Sequence, residues 1–527
     1  MGTAYLLAHD LGTTGNKATL FDTAGRLVTS ALETYPTYYD KPGWVEQDPD
    51  SWWQAVCRAS AAVMKKVGIT KSSIAAISFS GHMMGCVPVD DRGDALRRAI
   101  IWADQRASAQ VAALMQSMSA EEIYRITGTR PNPNYTIEKI MWIRDNEPEI
   151  YKRTRFVLQS KDYIVARLTG CFATDYSDAS ATNAYDIAKK EWSDDLLAAA
   201  AISKSLFPDA RPSSTIVGSV QSTDGIDLEG VPVVLGGGDG ACATVGAGVI
   251  RANEGYNYFG SSSWIAIATD APVFDPAMRT FNLCHLEPNL YMPVGTMQSA
   301  GGSYDWLRDV LFPKEMGKSN DEAYALLNRW ANESPAGANG VLFLPYLIGE
   351  RSPHWNEDAR GAFIGLARSH GLGELVRSVL EGVAFNLRII FDALTEQGAS
   401  LDSLRMIGGG IRNPVLCHAL ADMLGIPIER LESGEFATSL GAAVCAGVGI
   451  GAFDDFSIAA KLSPIAGTDR PTAEHKPTYD REYSLFKQAY ESLEPLFGDI
   501  AAMQREMSEI MRSQPSDKDR EGENDGQ

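Results

Sequence analysis

One aspartate, Asp239, sits in VPVVLGGGDGACATVGAG, Val231 to Gly248, directly after an apolar β-like run and inside glycine-dense backbone. Glycine lets a phosphate or a hydroxyl approach the main chain closely, so a carboxylate placed there suits a general base facing an alcohol. Near the N-terminus, HDLGTTGNK sets Asp10, Gly12, Thr13, Thr14 and Lys17 around a turn between two more β-like runs. Phosphoryl transfer asks a protein mainly to position phosphates and neutralise charge. It needs donor-rich turns, a carboxylate for Mg2+ and a second carboxylate toward the acceptor. Thr13, Thr14 and the Gly12 backbone offer the donors, Lys17 a positive charge, and Asp10 a magnesium ligand acting through water. The P-loop pattern G-x-x-x-x-G-K-[ST] occurs nowhere in the chain, so these phosphates would be held by a different turn.

Asp239 has two other readings. Gly238, Gly240 and Ala243 fit the dinucleotide pattern G-x-G-x-x-A, yet that fingerprint wants an acid at the end of the following strand, and Asn257 to Gly260 offers none. It could also simply cap a helix over 241–248. As a base, an Asp of ordinary pKa, about 3.9, would be ionised at neutral pH, and a loose transition state needs no stronger base. SGHMMG, Ser80 to Gly85, follows an expected strand over 74–79 and would hang at its carboxyl end, the usual ligand side of an open α/β sheet. There His82 could bond a sugar hydroxyl or be a structural histidine, while Met83 and Met84 are contacts or core. Asp104, in IWADQR, could touch the ligand or pair with Arg106.

These residues need elements to carry them. Runs at 5–9, 17–21 and 26–34 predict a three-stranded meander, and 255–259 with 264–269, joined by GSSS, repeat its cadence as if the chain were duplicated. Helical periodicity marks 50–67 and 107–118, and buried strands are expected at 74–79 and 231–235. Alternating strands and helices give α/β layers. Leu372, Leu375, Val376, Val379, Leu380, Val383 and Leu387 outline a long amphipathic helix. A strand at 404–407 then enters GGG, and Asn413-Pro414 supplies an N-cap and first-turn proline. Phe486, Tyr490, Leu493, Phe497 and Ile500 predict that 480–512 folds back as a helix broken or kinked at Pro495. From Pro515 the charged tail reads as disordered.

With 527 residues, 45% of them hydrophobic, the chain exceeds one compact core. Two domains of roughly 200 to 250 residues are expected, with the site between them. The 67 acidic against 47 basic residues give a net charge of −20, and no basic stripe offers a footprint for nucleic acid. The 7 cysteines contain no C-x-x-C pair, which argues against structural zinc and a disulfide framework. No secretory leader and no run of about 18 apolar residues is found, so a cytoplasmic protein away from membranes is expected.

KIMWIRDN (Lys139 to Asn146) and GAFIGLARSHGLGELVRSVLE (Gly361 to Glu381) resemble the two signatures of the FGGY family of carbohydrate kinases, and the likeness runs from about Tyr5 to about Phe453. PGWVEQDPDSWW, KDYIVARLTG, TDYSDAS, GGGDGACATVGAG and PYLIGERSPHW are most similar to the xylulokinase branch. The resemblance implies two ribonuclease-H-like domains of actin/hexokinase type with a cleft between them. On that basis 1–250 forms the N-terminal domain, 251–455 the C-terminal domain, 456–512 a helical extension and 513–527 an acidic tail. It also implies ATP and Mg2+, and transfer to a primary hydroxyl of a pentulose, D-xylulose first, with Asp239 as catalytic base. Gly260, Ser261 and Ser262 become the second phosphate turn. Gly301 and Asp305 approach the nucleotide, and Gly409, Gly410 and Asn413 wall the adenine. A homodimer is left open.

Two departures stand out. Xylulokinases carry S-G-Q-M-H-G where this chain has SGHMMG, which moves the histidine to 82 and puts Met84 in its former place. His418 stands where the family often has Gln. Changing hydrogen-bonding groups in a polar pocket can alter discrimination by orders of magnitude, so another ketose, a polyol or glycerol remains an alternative acceptor. A catalytically silent sugar-binding regulator is the alternative from another class.

Overall fold

The computed structural model describes residues 4–222, 225–313, 317–432 and 434–513; the expected acidic tail lies, apart from Ser513, outside these. Its organising feature is one strand path used twice. In the first half, Tyr5–Leu11, Gly15–Asp22 and Leu27–Thr34 form the expected antiparallel meander. Tyr5–Leu11 pairs in parallel with Ile74–Gly81, which runs parallel to Pro232–Val234, and Ile216–Ser219 closes the edge antiparallel. In the second half, Gly255–Phe259, Ser263–Ile267 and Tyr291–Met297 form the meander. Gly255–Phe259 pairs in parallel with Leu404–Gly408, followed by parallel Ile428–Leu431 and antiparallel Ile465–Asp469. The duplication suggested by cadence is therefore a duplication of topology. The fold is two-domain α/β, of the actin/hexokinase kind.

Each sheet is covered in part by a helix that the sequence pattern foretold. Pro49–Val67 is capped by Asp48, whose side chain accepts from Asp50 N, and ends on left-handed Gly68. Leu372–Thr395 buries one long face against the second sheet and the helices Asn320–Glu333 and Pro414–Leu424. The Asn413 side chain accepts from Leu416 N, with Pro414 in the first turn.

Two helices join the halves. Asp239–Gly246 and Ala437–Gly449 cross with almost no side chain between them: a Cβ on Gly246 would stand 1.8 Å from Ala437 O, and one on Gly441 2.0 Å from Cys242 O. Only glycine permits that approach. Ala437–Gly449 also packs on Tyr5–Leu11 and Ile74–Gly81, so a helix from the second half covers the first sheet.

The C-terminal segment departs from expectation in two ways. The region 456–512, read as helical, contains the strand Ile465–Asp469 that completes the second sheet. The final helix then runs unbroken from Lys476 to Ser513 through Pro495. A mid-helix proline costs roughly 3 kcal/mol. Tyr479, Tyr483, Phe486, Tyr490 and Phe497 offset it by burying one continuous face in the second core. The 7 cysteines are all free, and Cys171 alone among them is not fully buried. No described helix is long and apolar enough to cross a membrane.

Candidate active site

Asp239 opens the joining helix rather than capping it. Gly238 is the N-cap residue, and Asp239 Oδ1 accepts from Gly240 N at 2.7 Å. The dinucleotide reading fails on topology, because the strand after this helix, Gly255–Phe259, belongs to the other sheet. The backbone before Asp239 is fixed from below. Gly238 N donates to Ser177 Oγ at 2.9 Å, and Ser177 Oγ donates to Asp175 Oδ2 at 2.5 Å. Asp175 belongs to a buried cluster in which Lys161 Nζ lies 2.6, 3.0 and 3.1 Å from Asp162, Asp175 and Asp178. The three carboxylates raise the Lys161 pKa and keep the amine charged, while burial raises that of Asp178 and favours its acid form.

Asp239 borders a cavity of about 420 Å³ between the halves. Asp10, Gly12 and Lys17 line it from one side, and Gly408, Gly409, Arg412, Glu435 and Thr438 from the other. Asp10, next to last in its strand, has both oxygens held: Ser80 Oγ donates to Oδ1 at 3.0 Å and Thr438 Oγ1 to Oδ2 at 2.7 Å. Lys17 Nζ donates to Glu435 O at 3.2 Å. An ordinary pKa was expected for Asp239. Burial, then the neighbouring Asp10 carboxylate, push it up to about 7. The sequence could not show this, since both causes arise from contacts across the fold.

The turn after Asp10 is rigid. Thr13 Oγ1 accepts from Trp102 Nε1 at 3.0 Å, Thr13 O from Gln47 Nε2 at 2.7 Å, and Gly12 N donates to Gly15 O at 3.0 Å. Thr14 is exposed.

A second cavity of about 520 Å³ adjoins the first, sharing Gly409 and Arg412. It gathers Gly260, Ser261, Gly301, Asp305, Gly410 and Asn413, residues spread over more than 150 positions. Ser262 lies in the same turn without lining the cavity. Gly260 and Ser261 carbonyls accept from Gly301 N and Gly302 N, both at 2.9 Å, which welds this turn to the start of helix Gly301–Leu311. Tyr304 and Tyr324 stack at 5.8 Å between centroids. Asn328 Oδ1 accepts from Tyr304 OH at 2.8 Å and from Asn413 Nδ2 at 3.0 Å. Aromatic faces, amide groups and bare glycine backbone suit a flat heterocycle.

The remaining candidates lie deeper. His82 is 1% exposed and borders neither cavity. Its ring meets Trp52 edge-on at 5.2 Å, both ring nitrogens lack protein partners, and burial lowers its pKa to about 4. Met83 is core and packs against Gly238. Met84 is half-buried and left-handed, φ 63°, and its carbonyl accepts from Lys139 Nζ at 2.7 Å. Asp104 is fully buried, accepting from Val45 N at 2.5 Å and Arg106 Nη2 at 2.7 Å. His418 pairs with Asp469 at 3.2 Å. Sequence reasoning missed Thr438, Arg412, Tyr304, Tyr324 and Asn328. For Thr438 a signal existed, a hydroxyl just before the small-residue run SLGAAVCAG; Asn328 had none.

For Mg2+, Asp10 and Asp239 line one cavity, with Glu432 and Glu435 also on its wall, and no described group of three or more acidic, His or Cys side chains forms a closed metal cage. That fits a hydrated cation completed by phosphate oxygens.

The chain matches the models for the N-terminal domain of the FGGY family of carbohydrate kinases over residues 5–246 and for its C-terminal domain over 255–450. It is 34% identical to the xylulose kinase of Escherichia coli K12, over 92% of this chain and 99% of that protein. Two solved structures from Lactobacillus acidophilus superpose with a TM-score of 0.88. One is a gluconate kinase, 28% identical, covering 95% of this chain and 100% of its own; the other is a ligand-bound xylulose kinase, 27% identical, covering 94% and 100%. A duplicated sheet, a cavity between the halves lined by Asp10 and Asp239 and both family domains in order lead to one conclusion: the protein belongs to the FGGY family of carbohydrate kinases and is a sugar kinase.

Proposed function

We propose that the enzyme moves the γ-phosphoryl group of ATP to a primary hydroxyl of a pentulose, D-xylulose first, with Asp239 as general base. The observation that carries this reading is the place of Asp239. It opens a helix on a cavity lined from both halves, together with Asp10 and Lys17 and beside a second cavity suited to adenine. Asp239 takes the hydroxyl proton as the oxygen attacks. Lys17 and the Gly12 backbone offset phosphate charge, and Gly409, Gly410, Tyr304 and Asn413 border the base. Asp10 with Asp239 would hold Mg2+, which supplies neutralisation of the phosphate oxygens when bound. A pKa of about 7 leaves Asp239 able both to accept the proton and to release it near neutrality. His82 keeps its place as an acceptor contact on the strength of its two unpaired ring nitrogens. Asp104 is a support for the loop, since its oxygens are engaged by Arg106 and Val45.

An ADP-release panel of D-xylulose, L-ribulose, glycerol, xylitol and D-gluconate tests the acceptor. D-Xylulose turned over no better than glycerol removes that assignment. A second reading, a sugar acid as acceptor, is favoured by the gluconate kinase superposing as closely as the xylulose kinase. Asp239→Ala should abolish turnover of every acceptor, by about 10³-fold or more, while ATP binding persists; retained turnover removes Asp239 from its role.

A further inference from the structure

A third, smaller cavity, about 110 Å³, carries chemistry that the cleft around Asp239 does not use. Arg130, from the first half, and Arg351, from the second, both line it. Neither has an ion-pair partner or a side-chain hydrogen bond among the described residues. The Nε and Nη2 atoms of Arg351 are buried with no acceptor. Both guanidinium groups lie at the ring of Trp355, 4.9 Å away for Arg130 and 5.5 Å for Arg351.

Leaving a buried guanidinium unpaired is costly, and a tryptophan face offsets only part of that cost. Gln298 and Asn132 add side-chain amides to the same wall. Two carboxyl groups also line the cavity. Glu350 accepts from Gln298 N at 2.7 Å, Arg351 N at 2.8 Å and Asn386 Nδ2 at 3.2 Å, and neither guanidinium donates to it, although the Arg351 charge acts on it. Burial pushes its pKa up to about 8, which favours the uncharged acid at neutral pH. Glu357 is exposed. The buried wall of the cavity is therefore cationic.

We infer that Arg130 and Arg351 receive one carboxylate or phosphate group between the two halves of the chain, against Trp355. Two guanidinium groups offer the paired, charge-assisted donors that such an anion prefers. Because they come from opposite halves, a bound anion would also tie the halves together. It has two sources: an acid group on the sugar acceptor itself, or a separate small anion. The first deepens the sugar-kinase reading and rests on it; the second stands without it.

The test uses the full chain, with D-gluconate and inorganic phosphate titrated calorimetrically and xylitol as the neutral control. Wild-type enzyme should bind at least one of the two anions, more weakly as salt rises, and not xylitol in the same salt-dependent way. Arg130→Gln and Arg351→Gln should each weaken that binding tenfold or more with ATP affinity unchanged, and Arg351→Lys should restore part of it. If D-gluconate is phosphorylated and Arg351→Gln raises its KM tenfold without moving kcat, the anion is the acceptor's own. If phosphate binds and D-gluconate is not phosphorylated, the anion is separate. Binding of neither anion, or equal binding by wild type and both Gln variants, overturns the inference. Asp239→Ala, which removes turnover, should leave anion binding intact, so failure of the catalytic reading and failure of this one give different results.

Discussion

The two meander turns, Asp10 to Lys17 and Phe259 to Ser263, occupy equivalent places in two sheets of the same topology, yet they are built differently. The first carries a carboxylate at one end and an amine at the other, and Trp102, Gln47 and Ser80 hold it rigid from within its own half. The second carries no charge, and its carbonyls are tied to the N-terminus of helix Gly301–Leu311. The adjoining cavities follow suit. One is lined by Asp10, Lys17 and Asp239; the other by tyrosines, amides and glycine backbone, with Asp305, Asp321 and Arg412 also on its wall. A repeated topology fixes where ligand-facing turns fall. Side-chain chemistry then sets the two turns apart, with a carboxylate and an amine on the first and hydroxyls on the second.

That division can be tested by removing each side of it. Asp10→Asn should cut turnover by about 10²-fold or more, because it takes charge from the phosphate side of the cleft. It should also move the acid limb of kcat/KM below the value near 7 expected for the wild type, since Asp10 is one cause of the raised Asp239 pKa. An unmoved limb would separate the two carboxylates. With wild type, activity should rise with pH through about 7 as Asp239 loses its proton.

Gly441→Val probes the crossing that joins the halves. A side chain 2.0 Å from Cys242 O forces the two helices apart, so thermal unfolding should report a loss of about 1–3 kcal/mol or more. Asn328→Ala should act on the other cavity alone. It should raise KM for ATP by about tenfold, the effect of roughly 1.4 kcal/mol, with kcat for the sugar little changed. An equal fall in kcat would mean that the two cavities do not work separately.

The smallest effect concerns stability. Glu138 is buried, accepts from Asn183 Nδ2 at 2.6 Å, and burial raises its pKa from 4.5 to about 8. The stability it contributes as the acid is fully present below pH 4.5 and is lost as pH rises through 8. Glu138→Gln should therefore gain in Tm relative to wild type between pH 6 and 9. A constant difference across that range would show that Glu138 does not titrate in the fold.

Local pattern alone specified much of this protein. Period-2 runs joined by LGTTG and GSSS marked the first meander and the opening hairpin of the second, and period-3.6 spacing from Leu372 marked the long helix. Asn413-Pro414 marked a helix start, and glycine around Asp239 marked a place where a ligand can approach backbone. Each of these depends on neighbours within a few positions. The tertiary structure alone decided that the strand Ile465–Asp469 belongs to the second sheet and that the final helix continues through Pro495, because a buried face outweighs a broken hydrogen bond. It likewise decided that Thr438 holds Asp10, that Asn328 lines the second cavity, that His82 is buried beside Trp52 with both ring nitrogens unpaired, and that burial and Asp10 push the Asp239 pKa up to about 7. These follow from burial and from charges hundreds of residues apart in sequence, quantities that exist only once the chain has packed.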